Sequence, residues 1–204
     1  MKKVLVPPAI SLSILLILTA FRLNEGVLPI GSDLPKGDVG LKDVSGREVT
    51  MKSTKDTNGL LVMFTCNTCP YVIKNQERTK AICAYARQHN IGVILINSNE
   101  AQRSNDDSFE AMKAYAKEQA YAWYYTVDKN SVIAKAFGAS RTPECYLFNN
   151  KLKLTYRGAI DDSPGQPGNV TREHLKEAIN ETIAGKQVTV SVTRSVGCAI
   201  KILD

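Results

Sequence analysis

Leu60-Leu61-Val62-Met63-Phe64-Thr65-Cys66-Asn67-Thr68-Cys69-Pro70 joins an apolar run to a Cys-x-x-Cys and a proline. A short run of this kind, without a polar face, predicts a strand buried on both sides. Proline is tolerated only in the first turn of a helix, so Pro70 predicts a helix starting near Cys69. Cysteines three apart at a helix start share one face, a separation suited to a disulfide without much backbone movement. The helix N-terminus also favours a thiolate there. Strand, Cys-x-x-Cys and helix in this order read as a thiol–disulfide redox site.

Two other readings of the motif are a zinc half-site and a purely structural disulfide. Zinc needs a second ligand pair. The remaining cysteines, Cys83, Cys145 and Cys198, stand alone, as do His89 and His174. No metal and no cofactor is therefore expected. Cys83 falls on the inner face of the helix after the motif and Cys145 in an apolar run, so both read as small buried hydrophobes.

The chain has 204 residues, a net charge of +6 and an ordinary globular composition, which fits one domain with additions. Basic residues are scattered among acidic ones, giving a solvated surface and no nucleic-acid stripe. Residues 1–24 read as a signal peptide or N-terminal membrane anchor: Lys2-Lys3 precedes the uncharged stretch Val4 to Phe21. Leu18-Thr19-Ala20 is a poor cleavage site. The charge order predicts a cytoplasmic N-terminus and an exported body. The protein is thus expected on the periplasmic side of a bacterial envelope, secreted or anchored, with membrane contact through that segment alone. A disulfide can persist there.

Residues 25–185 read as the folded domain and 186–204 as a C-terminal extension. A hairpin is expected around Ser45-Gly46. The helix after Pro70 should run to about His89 with Val72, Ile82, Tyr85 and Ala86 inward. Ile91 to Ile96 reads as a second buried strand. Ser104 to Asp107 supplies capping residues for a helix carrying Phe109, Met112, Tyr115 and Ala116. Tyr121 to Tyr125 reads as a short strand and Asn130 to Phe137 as a short helix stopped by Gly138. Cys145 to Phe148 and Leu152 to Tyr156 read as a hairpin turning at Asn149-Asn150-Lys151. Thr171 is expected to cap a last helix bearing Leu175, Ala178, Ile179 and Ile183. Strands joined through helices predict an α/β fold, a central sheet with helices on its faces.

Four segments carry a family resemblance: Phe64-Thr65-Cys66-Asn67-Thr68-Cys69-Pro70, Arg141-Thr142-Pro143-Glu144, Tyr156 to Asp162, and Gly197-Cys198-Ala199-Ile200-Lys201. In this order the chain resembles the thioredoxin-like superfamily. It is similar to the redoxin branch of alkyl hydroperoxide reductases and thiol-specific antioxidant proteins, and within it to peroxiredoxin-like proteins with Cys-x-x-Cys-Pro. The resemblance implies a thioredoxin-like fold with a central mixed sheet. It implies Cys66 as an exposed nucleophile and Cys69 as the resolving thiol. It also implies Thr142-Pro143 as a cis-proline turn that binds substrate by offering backbone groups.

Two family features are missing. Leu60 to Phe64 contains no acidic proton acceptor. Met63 stands where peroxiredoxins place a threonine. The expected chemistry is therefore thiol–disulfide exchange on protein or small-molecule disulfides, with a disulfide- or dithiol-containing substrate and a separate electron donor. Two alternatives are a thiol peroxidase, in which Cys66 is oxidised to a sulfenic acid, and a non-enzymatic copper carrier using both cysteines and a histidine.

Overall fold

The structure, a computed structural model, describes residues 26–203. The leader read at 1–24 lies outside the described residues. Among those residues, no helix is long and apolar enough to cross a membrane.

The chain enters through a hairpin, β1 (Leu41–Asp43) and β2 (Glu48–Val49), with Leu41 opposite Val49. A single turn, α1 (Met51–Thr54), follows, its first N–H groups satisfied by the Thr50 hydroxyl, which accepts from Ser53 N–H at 3.0 Å. Then come β3 (Gly59–Phe64), α2 (Pro70–Gln88) and β4 (Ile91–Asn97). Next are α3 (Phe109–Glu118), β5 (Tyr124–Val127), α4 (Val132–Phe137) and β6 (Arg141–Thr142). The closing elements are β7 (Glu144–Asn149), β8 (Leu154–Gly158), α5 (His174–Ile183) and β9 (Cys198–Ala199).

Strands run in the orders β2-β1-β5-β4 and β3-β7-β8. β3 lies beside β4, and Thr65 N–H donates to the Ile96 carbonyl at 2.9 Å where the two meet, so both runs form one mixed sheet. β5 is parallel to β4, while β7 is antiparallel to β3, with Leu61 opposite Leu147. Side chains of β3 alternate between two cores. Leu61 and Met63 enter one with Ile82, Cys83 and Ala86 of α2, Met112 of α3 and Leu175 and Ile179 of α5. Leu60, Val62 and Phe64 enter the other with Met51, Ile133, Ala134 and Phe137. That alternation is the two-residue period of a strand covered on both faces. Each such side chain contributes about 1.5–3 kcal/mol of burial, which fixes the strand that carries the Cys-x-x-Cys.

Local readings differ from the fold in identifiable ways. Thr171 does not cap α5: Glu173 holds that position without a side-chain bond, and Thr171 instead donates its backbone N–H to Asp162 at 3.0 Å. The short helix begins at Val132, not Asn130, because Asn130 and Ser131 sit at φ 59° and 53°. β5 is shifted to Tyr124–Val127, with Tyr121 and Trp123 packed partly buried at its entrance. β8 starts at Leu154, since Leu152 turns at φ 55°. Tyr85 is only partly buried and donates its hydroxyl to Asn180 Oδ1 at 2.5 Å. The alternating tail pairs sparingly, through an isolated bridge from Arg157 to Val192 and through β9 on β6.

Candidate functional site

Cys66 lies two residues past the end of β3, and Cys69 is the N-cap of α2, with Pro70 in the first turn. The sheet therefore aims the first cysteine and the helix start holds the second. The Thr142–Pro143 peptide is cis, and it faces the pair. Cys66 Sγ lies 3.5 Å from the Thr142 hydroxyl, and the Cys69 thiol donates to the Thr142 carbonyl at 3.2 Å. Glu144 fixes this turn by accepting from the N–H groups of Ser140 and Arg141 at 3.0 and 3.2 Å. The four residues expected at the site, Cys66, Cys69, Thr142 and Pro143, thus come together.

The expectation of an exposed Cys66 fails. Cys66 is 2% and Cys69 4% accessible. Their cover is Tyr71, Val72 and Cys198, which pack with them in one cluster. Cys198 belongs to the tail. β9 pairs antiparallel with β6, placing Cys198 opposite Thr142 and Ala199 opposite Arg141. The strand edge expected to receive a substrate is therefore taken by the protein's own C-terminal segment.

Gly197 explains the closeness of that approach. A Cβ on it would lie 2.0 Å from the Thr142 carbonyl oxygen, so only glycine fits. Beyond it, Ile200 donates its N–H to Ser140 O at 3.1 Å and buries its side chain in the second core.

A buried polar network grips the motif from the other side. Asn67 N–H donates to Asp107 Oδ1 at 2.9 Å. Asn97 donates to the same oxygen at 2.7 Å, and Asn99 donates to Asp107 Oδ2 at 2.8 Å. Tyr125 donates its hydroxyl to Asn67 Oδ1 at 2.8 Å, and burial pushes that phenol well above its usual range. Asn99 Oδ1 accepts from Lys201 N–H at 2.9 Å, which ties the tail into the same network. Sequence reading took Asp107 as a helix cap. Ser108 is the cap, accepting from Ala111 N–H at 3.3 Å, and Asp107 is fully buried. The available signal was the polar triplet Asn97-Ser98-Asn99, which ends a buried strand and must find partners.

The two thiols titrate as a unit. Interaction with the Cys66 side chain pulls Cys69 down to about 4. The Cys198 thiol and the N–H of Val72 help, and burial opposes them. Cys66 is correspondingly held far above the ordinary thiol range, by its bond to Cys69 first and by burial second. The Thr142 carbonyl beside Cys69 works against a thiolate on that sulfur, because it can only accept. The Thr142 hydroxyl and the Cys69 N–H can donate to a thiolate on Cys66. In either arrangement the pair loses one proton early and keeps the other.

A titration of thiolate absorbance in the ultraviolet checks this. In the reduced protein one thiolate is expected to persist as the pH falls, disappearing only as it nears about 4. A first thiolate appearing only near the ordinary value of ~8.5 would show that the pair shares no proton.

A Redoxin family model matches residues 29–179. The chain belongs to the redoxin family. It is 33% identical to an uncharacterized conserved protein from Geobacillus kaustophilus, across 86% of this chain and 93% of that one, with a TM-score of 0.79. It is 31% identical to a hypothetical protein from Sinorhizobium meliloti 1021, across 87% and 97%, with a TM-score of 0.79. A variant of PrxQ from Xylella fastidiosa, 15% identical across 78% and 97% with a TM-score of 0.59, shares the fold. No curated protein matches. This redoxin is therefore an oxidoreductase of thioredoxin-like fold.

The copper alternative finds little support. Among the described residues no group of three or more His, Cys, Asp or Glu side chains could hold a metal ion. His89 caps the far end of α2, where its Nδ1 lies 2.9 Å from Tyr85 O. At 1.5 Å per residue that is roughly 30 Å from Cys69.

Proposed function

We propose that this redoxin is a thiol–disulfide oxidoreductase working through Cys66 and Cys69. The observation that carries the reading is the pair itself: two free thiols, Cys66 between β3 and α2 and Cys69 at the N-cap of α2, both within reach of Thr142 beside the cis-proline. A Cys66 thiolate attacks one sulfur of a substrate disulfide. A mixed disulfide forms and the other substrate sulfur leaves as a thiolate. Cys69 then attacks Cys66, forms the Cys66–Cys69 disulfide and expels the second substrate thiolate. Two electrons pass from the pair to the substrate. The Thr142 hydroxyl is placed to donate to Cys66 while it carries charge. Peroxidase chemistry has weaker support. Met63, three residues before Cys66, is fully buried in the core and offers no hydroxyl to a peroxide.

Cys69→Ser tests the reading. Without the second attack, the variant is expected to accumulate a mixed disulfide on Cys66 when mixed with a disulfide-containing protein, and peptide mapping locates it. Wild type under the same conditions releases reduced substrate. A Cys69→Ser protein that forms no adduct at Cys66, while wild type still turns over, sinks the proposal.

A further inference from the structure

The mechanism above uses two sulfurs, yet the site holds three. Cys198 packs on the Cys66–Cys69–Val72 cluster and lies opposite Thr142 across the β6–β9 pair. The Cys69 thiol reaches that same Thr142, 3.2 Å from its carbonyl. Cys69 and Cys198 are thus held against one residue from two sides. The Cys198 side chain packs against the cluster that holds Cys69. Cys83 and Cys145, by contrast, are fully buried in the core away from this cluster, and burial pushes both thiols up.

The tail is anchored to hold this position. Gly197 permits its contact with Thr142, and Arg141 donates to Gly197 O at 3.5 Å. Ile200 and Lys201 are pinned on Ser140 and Asn99. Ser195 donates to Glu144 Oε1 at 3.3 Å, the carboxylate that fixes the cis-proline turn. Anchors before and after Cys198 fix it against the cluster that holds Cys66 and Cys69. Cys198 is also the partly accessible member of the three, whereas Cys66 and Cys69 are buried.

We propose that Cys198 is a third redox cysteine, and that Cys69 alternates between disulfides with Cys66 and with Cys198. The inference rests on the exchange reading of the Cys66–Cys69 pair and names the route by which that pair is recharged. Once a substrate has been reduced, the Cys198 thiolate attacks the Cys69 sulfur of the Cys66–Cys69 disulfide. The Cys69–Cys198 bond forms, the Cys66–Cys69 bond breaks and Cys66 leaves as a thiolate. No net oxidation occurs, because the disulfide only moves outward. A dithiol reductant then attacks Cys198, the accessible sulfur, and Cys69 leaves as a thiolate. The second thiol of the reductant displaces Cys198 and closes its own disulfide. Two electrons enter at Cys198 and reach Cys66, which is freed for substrate at the buried side.

The test uses the full chain and maps disulfides by digestion without reduction. In Cys66→Ser, treatment with oxidised glutathione is expected to join Cys69 to Cys198 in most molecules, leaving Cys83 and Cys145 as thiols. Gly197→Ala added to that variant is expected to lose the cross-link, because the tail can no longer approach Thr142. Separate glutathione adducts on Cys69 and Cys198 in folded Cys66→Ser would overturn the proposal. So would a cross-link that persists unchanged with Gly197→Ala. Wild type held in graded dithiothreitol buffers provides the second measurement should the variant not fold. The Cys66–Cys69 and Cys69–Cys198 peptides are expected to coexist. Cys66–Cys69 alone at every poise overturns the relay and leaves the exchange reading standing. Failure of wild type to form Cys66–Cys69 at all removes the exchange reading itself.

Discussion

Cys66→Ser is expected to lose reduction of a protein disulfide by on the order of 10³-fold or more, the scale of losing an enzyme's nucleophile. The substitution is nearly isosteric at a residue that is 2% accessible, so the fold is expected to survive. A serine hydroxyl keeps the bond toward Thr142 but is no nucleophile at neutral pH without an activating base. Among the described residues the hydrogen-bond partner beside it is the Thr142 hydroxyl at 3.5 Å, which is not such a base. Cys69 does not substitute, because its thiol is engaged with the Thr142 carbonyl at 3.2 Å and Cys198 packs over it. The measurement is turnover of a protein disulfide with a saturating dithiol donor, with circular dichroism as the control for folding. Activity within a few-fold of wild type would move the first attack to another sulfur. The cysteine left as candidate would be Cys198.

The burial pattern explains which parts of this molecule were legible in its sequence. β3 was legible because a strand covered on both faces has no polar residue to hide its period. The start of α2 was legible because Pro70 is stereochemically restricted to the first helical turn. Motifs far apart in the chain, such as Cys66 to Pro70 and Arg141 to Glu144, could be placed together only through resemblance, since nothing local in either points to the other.

The misreadings have a common cause. Asp107 lies in Ser104 to Asp107, a cluster whose residue types are all good caps. Which of them caps a helix and which enters the core depends on what the β4 end brings to it. Thr171 failed in the same way, since Asp162 offers it a nearer partner. The tail was hardest. Val and Thr alternate along it, and it follows the surface of β8 and the cis-proline turn with few ladder bonds. The need for glycine at 197 shows only once the Thr142 carbonyl lies 2.0 Å from its would-be Cβ. Cys198 therefore had no derivable role before the fold put it on Cys69.

Asp107→Ala is expected to cost on the order of 3–9 kcal/mol, because it orphans three buried donors at about 1–3 kcal/mol each. The three are the Asn67 N–H and the side-chain amides of Asn97 and Asn99. Water cannot readily replace the carboxylate, as Asp107 and Asn97 are fully buried and Asn99 is 4% accessible. A loss of that size removes a large part of the 5–15 kcal/mol that holds a typical domain. Asp107→Asn keeps one acceptor oxygen but turns an amide N–H toward a donor, so it should fall between wild type and Asp107→Ala. The damage is expected to reach the redox site as well as the global stability. Asn67 sits between the two cysteines, and its backbone N–H is held by this carboxylate. Asn99 carries the restraint on to Lys201 in the tail. Chemical unfolding of the reduced variants gives the stability ranking. The proportion of molecules that close Cys66–Cys69 in a fixed dithiothreitol buffer, measured well below the unfolding midpoint, reads the site. A variant as stable as wild type would mean that the Asn97, Asn99 and Asn67 donors find other acceptors. A destabilised variant whose disulfide equilibrium is unchanged would make Asp107 a residue of the fold alone. A shift in both is expected, because the same carboxylate closes the core at the end of β4 and fixes the backbone between the two sulfurs.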